Sequence, residues 1–196
     1  MPHEWNKSII CPIYKKGEKS EHSNYRGISL LNTAYKILAT AINNILKTCA
    51  EDLLSQEQNE FRRNRSTTDT IFIMLQILEK CYEYNIEMHV LFIDFQQALD
   101  SVDRQKKTIQ ILQELRIPNK LVWLIKMTIQ NTEASVKIEN LTSNQFSISY
   151  GVCQDNPVSA TIFNLILDQV IKKLNLRGDV SLKLKQIVAY ADDIAF

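Results

Sequence analysis

Two apolar stretches of this chain carry carboxylates, and these carboxylates constrain the fold more than any other feature. The stretch VLFIDF, at residues 90–95, is interrupted only by Asp94 and predicts a buried strand. The stretch VAYADDIAF, at residues 188–196, places Asp192 and Asp193 side by side. Because an unpaired ionised carboxylate in a core costs several kcal/mol, the fold must supply Asp94 with a compensating partner.

The adjacent pair has two interpretations. Neighbouring side chains of a regular strand point to opposite faces, so Asp192 and Asp193 fit a plain hairpin turn, where aspartate is favoured. The alternative is a metal site, since no Lys or Arg lies within the strand around Asp94 to balance its charge. Three carboxylates from adjacent strands can hold two Mg²⁺ ions about 4 Å apart, an arrangement suited to in-line phosphoryl transfer.

Apolar residues at helical spacing predict five helices. Thr67 or Thr68 is predicted to cap the second of them, with Asp69 in its first turn. Asn156 and Pro157 read as a cap followed by a first-turn proline, and Pro118 is also suited to a first turn. The predicted helices occupy residues 32–54, 67–84, 104–115, the stretch after 118, and 156–178.

The remaining strand signals lie in the second half of the chain. Residues 134–150 alternate on both sides of a polar turn and predict a β-hairpin. Residues 182–190 predict a strand that turns at 191–193, and residues 194–196 begin the return strand. Helices and strands are mixed without a βαβ rhythm, so the predicted class is α+β.

Composition excludes several classes of protein. The four cysteines form no CxxC pair, so neither a zinc site nor a disulfide framework is predicted. The sequence shows no signal peptide, and its apolar runs are too short to span a membrane, so we expect an intracellular location, nucleus or cytoplasm, without secretion. The net charge of +1 gives no sign of a polyanionic partner. Three local basic clusters can still bind phosphates, and the alternative is that each is an ordinary solvated face. The clusters are Lys15, Lys16, Lys19 and Arg26; Arg62, Arg63 and Arg65; and Arg104, Lys106 and Lys107.

Five ordered blocks resemble the reverse transcriptases of non-LTR (LINE-type) retrotransposons. FIDFQQALDSVDR (92–104) and YADD (190–193) are similar to the family's two carboxylate motifs. Residues 5–37 resemble its N-terminal fingers block and QNEFRRNRSTTDTIF (58–72) its next block. GVCQDNPVSATIFNLIL (151–167) resembles the block before the palm helix. The blocks follow the family's order and cover nearly the whole chain.

This resemblance implies an RNA-directed DNA polymerase with a right-hand fingers and palm arrangement. The expected cofactor is a pair of Mg²⁺ ions, with Mn²⁺ as a substitute. The expected partners are an RNA template, a DNA primer and deoxynucleoside triphosphates, with no membrane. Residues 1–196 would form a partial domain without the family's thumb, with fingers at about 1–89 and 105–150 and palm at about 90–104 and 151–196.

The resemblance also assigns the catalytic centre and the nucleotide pocket. Asp94 and Asp192 would be the principal metal ligands, Asp193 would assist, and the backbone carbonyl of Phe95 would face an ion. Arg26 matches a position that packs against the incoming triphosphate, as the bidentate fit of guanidinium to phosphate favours. The residues expected to line the nucleotide pocket are Arg26, Leu99 and Gln154.

The basic residues have weaker assignments. Lys15 and Lys16 are expected to touch template or phosphate, and a solvated loop explains them equally well. Arg62, Arg63 and Arg65 are expected to follow a nucleic-acid backbone, with a solvated face as the alternative.

Several positions depart from the family pattern. Leu99 stands where an aromatic residue normally walls off the 2′ position of the sugar, which predicts weaker discrimination against ribonucleotides. Asp155 replaces a glycine and adds negative charge beside a triphosphate, where two unit charges about 4 Å apart repel by roughly 4 kcal/mol. The other departures are Glu60 for Gly, Cys153 for Arg, Val158 for Leu and Ala160 for Pro.

Three alternatives to an active polymerase stay open. The first is a catalytically dead remnant that still binds nucleic acid. The second is a metal-dependent nuclease that uses the same carboxylates on another scaffold, and the third is a translated fragment without function. The nuclease is disfavoured because the fingers-like block around Arg26 would have no purpose in it.

Overall fold

The computed structural model describes residues 1–55, 62, 65–94, 99–104, 106–153, 155–173, 188–190 and 193–195. Helices and strands are mixed, as predicted for an α+β fold. The helices are α1 (Thr33–Glu51), α2 (Thr67–Glu83), α3 (Lys107–Glu114), α4 (Asn119–Ile129) and α5 (Pro157–Lys173). The strands are β1 (Lys7–Tyr14), β2 (Tyr25–Leu31), β3 (Phe92–Asp94), β4 (Glu133–Ile138), β5 (Leu141–Thr142), β6 (Phe146–Ser147), β7 (Val188–Tyr190) and β8 (Asp193–Ala195).

Side-chain caps fix where α1 and α2 begin. Asn32 accepts a hydrogen bond from the Ala34 N–H at the start of α1 (2.9 Å). The prediction that Thr67 or Thr68 caps α2 is wrong, because Ser66 holds that position in extended backbone. Ser66 Oγ accepts from the N–H of Asp69, whose carboxylate accepts in return from the Ser66 N–H (2.7 Å). This reciprocal capping box favours a start one residue earlier.

One further helix start differs from the prediction, and two agree. Helix α3 begins at Lys107 and not at residue 104, because Asp103 forms a turn in which its carboxylate accepts from the Lys106 N–H (3.1 Å). Helix α4 begins directly after Pro118, as predicted, although Pro118 is its N-cap and does not lie in its first turn. At α5 the prediction is confirmed, since Asn156 Oδ1 accepts from the Val158 N–H (3.1 Å). The predicted end of α5 at residue 178 lies outside the described residues.

The larger sheet has five strands, in the order β2-β1-β4-β5, with β6 also paired to β4. Strands β1 and β2 form an antiparallel hairpin, and β4 runs parallel to β1 from the pair Lys7–Glu133 onward. The predicted hairpin at residues 134–150 is confirmed by the pairing of β4 with β5 and β6. This sheet therefore joins the N-terminal block to a strand more than a hundred residues later in the chain.

The smaller sheet has the order β3-β8-β7. Strand β3 is three residues long. The predicted strand at residues 90–95 is not buried in its first part, since the exposed fraction is 59% at Leu91 and 75% at Phe92. Only Ile93 of these residues packs against a core cluster. An apolar run shows that a strand is favoured, but not that both of its faces are covered.

Helix α5 contributes side chains to two hydrophobic clusters. The first joins α1, α4 and α5 around Leu46, Ile125 and Ile162. The second, which we call the joint cluster, contains Val102, Val152, Phe163, Leu167 and Ile171, with Ile93 and Leu99 packed against it. Strand β3 is thus held to α5 through the joint cluster. Among the helices that the structure describes, we find none with the length and hydropathy of a bilayer span.

Candidate functional site

The register of the smaller sheet brings the two predicted carboxylate motifs together. Asp94 at the end of β3 lies opposite Asp193 at the start of β8, and Asp193 lies opposite Tyr190 of β7. Directly opposed residues of antiparallel strands have Cα atoms within about 5.5 Å of each other. Two acidic positions separated by almost a hundred residues in sequence are therefore neighbours in the backbone.

The remaining parts of the predicted metal centre are not described. The side chains of Asp94 and Asp193 lie outside the described residues, as do Phe95 and Asp192 entirely. Their joint hold on a cation therefore stays a prediction. In the described part of the chain, no three His, Cys, Asp or Glu side chains are grouped to hold a metal ion.

The segment after β3 is locked to the segment before α5. The Val152 N–H donates to the Leu99 carbonyl and the Gly151 N–H to the Val102 carbonyl, each at 2.8 Å. Gly151 has φ +79°, and a Cβ on it would lie 2.8 Å from the Asp100 Cα. Both the backbone conformation and the close approach therefore require glycine here. We call this contact between residues 99–104 and 150–153 the interlock.

Leu99 belongs to this interlock. It is half-buried and packs against the joint cluster, while its carbonyl accepts the hydrogen bond from Val152. Gln154, the other predicted nucleotide-pocket residue in this region, lies outside the described residues. The predicted contact of Leu99 with a sugar thus stays a prediction, at a residue that also contributes to the core.

Arg104 is buried, although it was predicted to belong to a surface basic cluster. Its exposed fraction is 4%, whereas Lys106 and Lys107 are exposed. The guanidinium donates to Thr132 Oγ1 (2.7 Å) and to Cys153 Sγ (3.4 Å). Arg104 ends the block FIDFQQALDSVDR, which excludes Lys106 and Lys107, but neither apolar spacing nor charge in the sequence indicates that it is buried. Its burial arises from tertiary contacts alone.

A second buried polar group lies beside Arg104. The Tyr35 hydroxyl donates to the Thr128 carbonyl (3.0 Å) and accepts from Asn156 Nδ2 (2.7 Å). Burial raises the pKa of Tyr35 well above its ordinary value, because the ionised form would lose its hydration. The hydroxyl therefore remains protonated at physiological pH and keeps its donor. Sequence reasoning missed this residue, because a tyrosine at helical spacing reads as ordinary core.

The predicted phosphate contacts on the fingers side lie at the surface. Arg26 is exposed on β2, where it pairs with Ile13, and Lys15 and Lys16 are exposed just after β1. The loop that follows is held by the backbone bond from Lys15 to the Asn24 carbonyl (2.9 Å). These three cations are accessible to a ligand.

The second basic cluster does not lie in a single environment. The Arg62 side chain is 8% exposed; its Nη2 is 2.7 Å from Glu51 Oε1, and its Nη1 donates to the Ser55 carbonyl (2.7 Å). The Ser55 N–H in turn donates to the buried carboxylate of Asp168 (2.9 Å). These contacts favour a structural role for Arg62. Arg65 is half-buried with a partner of its own, and Arg63 lies outside the described residues.

Comparison with known proteins agrees with the resemblance to reverse transcriptases. The family described as "Reverse transcriptase (RNA-dependent DNA polymerase)" matches residues 13–196. The chain is 28% identical over 99% of its length to the "Transposon TX1 uncharacterized 149 kDa protein" of Xenopus laevis. It is 26% identical over 99% of its length to the "Probable RNA-directed DNA polymerase from transposon X-element" of Drosophila melanogaster. The chain spans 15% and 21% of the length of these two relatives.

Solved structures support the fold. Telomerase from Candida tropicalis, solved in complex with a fragment of telomeric RNA, superposes with a TM-score of 0.72 at 13% identity. The match covers 98% of this chain and 36% of the telomerase chain, which agrees with the predicted α+β fingers and palm fold. The family match covers far more than half of the sequence. The chain therefore belongs to the reverse transcriptase (RNA-dependent DNA polymerase) family, and its predicted relationship to the enzymes of non-LTR retrotransposons is confirmed.

Proposed function

We propose that this chain carries the nucleotidyl-transfer centre of a retrotransposon's RNA-directed DNA polymerase. It extends the 3′-hydroxyl of a DNA primer on an RNA template, using deoxynucleoside triphosphates. The observation that carries the proposal is the register of the smaller sheet, in which Asp94 and Asp193 are directly opposed. A plain hairpin turn at residues 191–193 gives no reason for an aspartate opposite it on the next strand.

Reverse transcriptases depend in general on divalent metal ions. We assign two Mg²⁺ ions, replaceable by Mn²⁺, to Asp94, Asp192 and Asp193, with the Phe95 carbonyl as a further oxygen ligand. Carboxylate and carbonyl oxygens are the donors that Mg²⁺ prefers, so the residue types at these positions fit the ions. When bound, such ions supply Lewis-acid activation of the primer hydroxyl and neutralise charge on the phosphates.

The nucleotide pocket is assigned to Arg26, Leu99 and Gln154. The exposure of Arg26 on the larger sheet supports a contact with the triphosphate, because an accessible guanidinium can pair with phosphate in bidentate fashion. The half-buried position of Leu99 supports a place at the wall of the pocket. Both residues act by orienting the nucleotide before transfer.

Nucleic-acid contacts are assigned to Lys15, Lys16, Arg63 and Arg65, while Arg62 supports them by shaping the local fold. The fingers comprise about residues 1–89 and 105–150, and the palm about 90–104 and 151–196. This division is supported by the interlock, which ties the two palm segments to each other. An intracellular site of action, in nucleus or cytoplasm, follows from the proposed substrates.

Primer extension tests the proposal. The chain is incubated with an RNA template, an annealed DNA primer, the four dNTPs and either Mg²⁺ or Mn²⁺. We expect incorporation that chelation abolishes, and a loss of at least about 100-fold in Asp94→Asn, which keeps shape but removes charge. Asp52→Asn, which makes the same change at an exposed carboxylate at the end of α1, serves as the control.

One other outcome has support in the sequence. Asp155 is exposed, and it replaces the glycine that normally lets the backbone approach a triphosphate. Salt-sensitive binding of nucleic acid without incorporation by the wild-type chain would therefore favour a catalytically dead remnant. Cleavage of the nucleic acid, instead of extension of the primer, would favour the metal-dependent nuclease.

A further inference from the structure

A small cavity lies where the segment before β1 meets helices α1 and α4, the segment after β3 and the start of α5. About 10 Å³ of it is open to the centre of a water molecule. Most of the residues that line it are buried, among them Tyr35, Thr128 and Val152. A cavity of this size holds one water molecule when two to four polar groups face it, and it has no room for a second.

Three residues that line the cavity each carry a buried polar atom without a hydrogen-bond partner among the residues that the structure describes. These atoms are Asn6 Oδ1, Arg104 Nε and Ser159 Oγ. An unpaired buried donor or acceptor is costly, and in folded proteins nearly all such groups are satisfied by other protein groups or by ordered water. Their presence around one cavity therefore indicates a shared partner.

Asn6 and Arg104 are brought together through Thr132. The parallel pairing of β1 with β4 starts at Lys7 and Glu133, so Asn6 lies beside Thr132 at the same end of the two strands. The Arg104 Nη1 donates to Thr132 Oγ1 (2.7 Å). The guanidinium therefore lies next to the point where the chain enters β1.

Ser159 reaches the same cavity from the first turn of α5. Its N–H donates to the carbonyl of Asn156 (3.0 Å), and Asn156 Nδ2 donates to the hydroxyl of Tyr35 (2.7 Å), which also lines the cavity. A serine within a helix often donates to a carbonyl one turn earlier, but in the described part of the chain Ser159 Oγ makes no such bond. Its hydroxyl is therefore available to a ligand in the cavity.

The three groups differ in hydrogen-bonding character, and this difference identifies the ligand. The Arg104 Nε–H can only donate, Asn6 Oδ1 can only accept, and the Ser159 hydroxyl can do either. A water molecule satisfies all three, since it both accepts and donates.

A small anion such as chloride is the competing ligand. It would balance the Arg104 charge, because no carboxylate of the described residues forms an ion pair with the guanidinium. It would also lie against the Asn6 oxygen, which carries partial negative charge and repels an anion. The set of one donor, one acceptor and one hydroxyl therefore favours water.

We propose that Asn6, Arg104 and Ser159 bind one buried water molecule, which connects the segment before β1 with the segment after β3 and with α5. Three hydrogen bonds are the usual number for a buried water. The water completes the hydrogen bonding of the Arg104 guanidinium. The site includes no carboxylate of the predicted metal centre, so it is independent of the proposed polymerase activity.

A crystal structure of the wild-type chain, at a resolution that shows ordered water, tests the site directly. We expect one isolated density peak within about 2.7–3.2 Å of Arg104 Nε, Asn6 Oδ1 and Ser159 Oγ. Direct hydrogen bonds among the three groups, or no density between them, would overturn the proposal. Crystals soaked in bromide distinguish an ion from water, because an anomalous bromide peak at this position would make it an anion site instead.

A double-mutant cycle measures the same bridge in solution. Asn6→Ala and Ser159→Ala each remove one partner of the water, and Asn6→Ala should lower Tm by roughly 2–4 °C. The better helix propensity of alanine reduces the loss in Ser159→Ala, but this gain cancels in the cycle. We expect the double variant to lose at least about 2 °C less than the sum of the single losses, because the first substitution already weakens the hold on the water.

Ser29→Ala provides the matched control, since Ser29 is buried but does not line this cavity. Its cycle with Asn6→Ala should be additive within about 1 °C. An equally additive result for Asn6→Ala with Ser159→Ala would contradict a shared ligand. If one of the variants does not fold, the density beside Arg104 Nε in the wild type still decides between water, an anion and direct contact.

Discussion

At the scale of single residues, Arg62 shows that a cation in a basic cluster can be buried and stabilise the fold. In sequence it belongs to a basic cluster, but its side chain is almost wholly buried against Glu51 and the Ser55 carbonyl. We expect Arg62→Ala to lower the free energy of unfolding by about 1–3 kcal/mol, because it removes a donor from the partly buried Ser55 carbonyl. Urea denaturation measures this loss.

RNA-binding titrations of the same variant distinguish a structural role of Arg62 from a direct contact with nucleic acid. Lys16→Ala serves as the comparison, since Lys16 is exposed and its loss should change stability by no more than about 0.5 kcal/mol. If Arg62→Ala keeps wild-type stability and loses RNA affinity, Arg62 contacts nucleic acid directly and the structural assignment is wrong.

Leu99 supports a second prediction at the residue scale. A leucine leaves more room than phenylalanine beside the 2′ position of a bound sugar. We expect Leu99→Phe to raise the preference for dNTP over rNTP by about tenfold in kcat/KM, in line with the discrimination that changes in pocket shape provide. Single-nucleotide incorporation with dATP and ATP measures the ratio, and Leu99→Met, which adds no ring, is the control. An unchanged ratio in an active Leu99→Phe enzyme would remove Leu99 from the pocket wall.

At the scale of elements, the interlock depends on one backbone conformation. Gly151 combines positive φ with a close approach to Asp100. Gly151→Ala should therefore lower the free energy of unfolding by at least about 1–3 kcal/mol, measured by urea denaturation. Asn tolerates positive φ better than Ala but carries the same Cβ. Equal losses in Gly151→Asn and Gly151→Ala would show that the close approach dominates, whereas wild-type stability in both would contradict the geometry.

The elements also show what local sequence can and cannot predict. The positions of the helices follow from apolar spacing, and α5 begins where Asn156 predicts, whereas the cap of α2 is Ser66 and not a threonine. Strands β1 and β2 were not predicted, and neither was the parallel pairing of β1 with β4, because nothing local links two strands so far apart in the chain. The burial of Arg104 was not predicted for the same reason, since it depends on contacts with Thr132 and Cys153.

At the scale of the whole molecule, the predicted meeting of the carboxylate motifs follows from an energetic argument. An ionised carboxylate in an apolar strand needs its charge balanced, and a second acidic motif allows this if both motifs bind the same cation. The backbone register agrees at Asp94 and Asp193. Which side chains line the nucleotide pocket depends on distances that no spacing in the sequence contains.

The charge of the whole molecule leads to the last prediction. The net charge is only +1, so nucleic-acid affinity should depend on where the cations lie and not on their sum. The double variant Lys15→Ala/Lys16→Ala should reduce the slope of log K against log salt by about 1 for each phosphate that the lysines neutralise in the wild type. Fluorescence anisotropy with a labelled RNA–DNA duplex between low and physiological salt measures the slope.

Lys106→Ala/Lys107→Ala is the matched control for this prediction. Both lysines are exposed at the start of α3, and their removal changes the net charge by the same amount. If the proposed fingers contacts are right, the control keeps the wild-type slope while the Lys15/Lys16 variant does not. Equal reductions in both would mean that the duplex responds to overall charge, and the assignment of a binding surface to the β1–β2 loop would then be wrong.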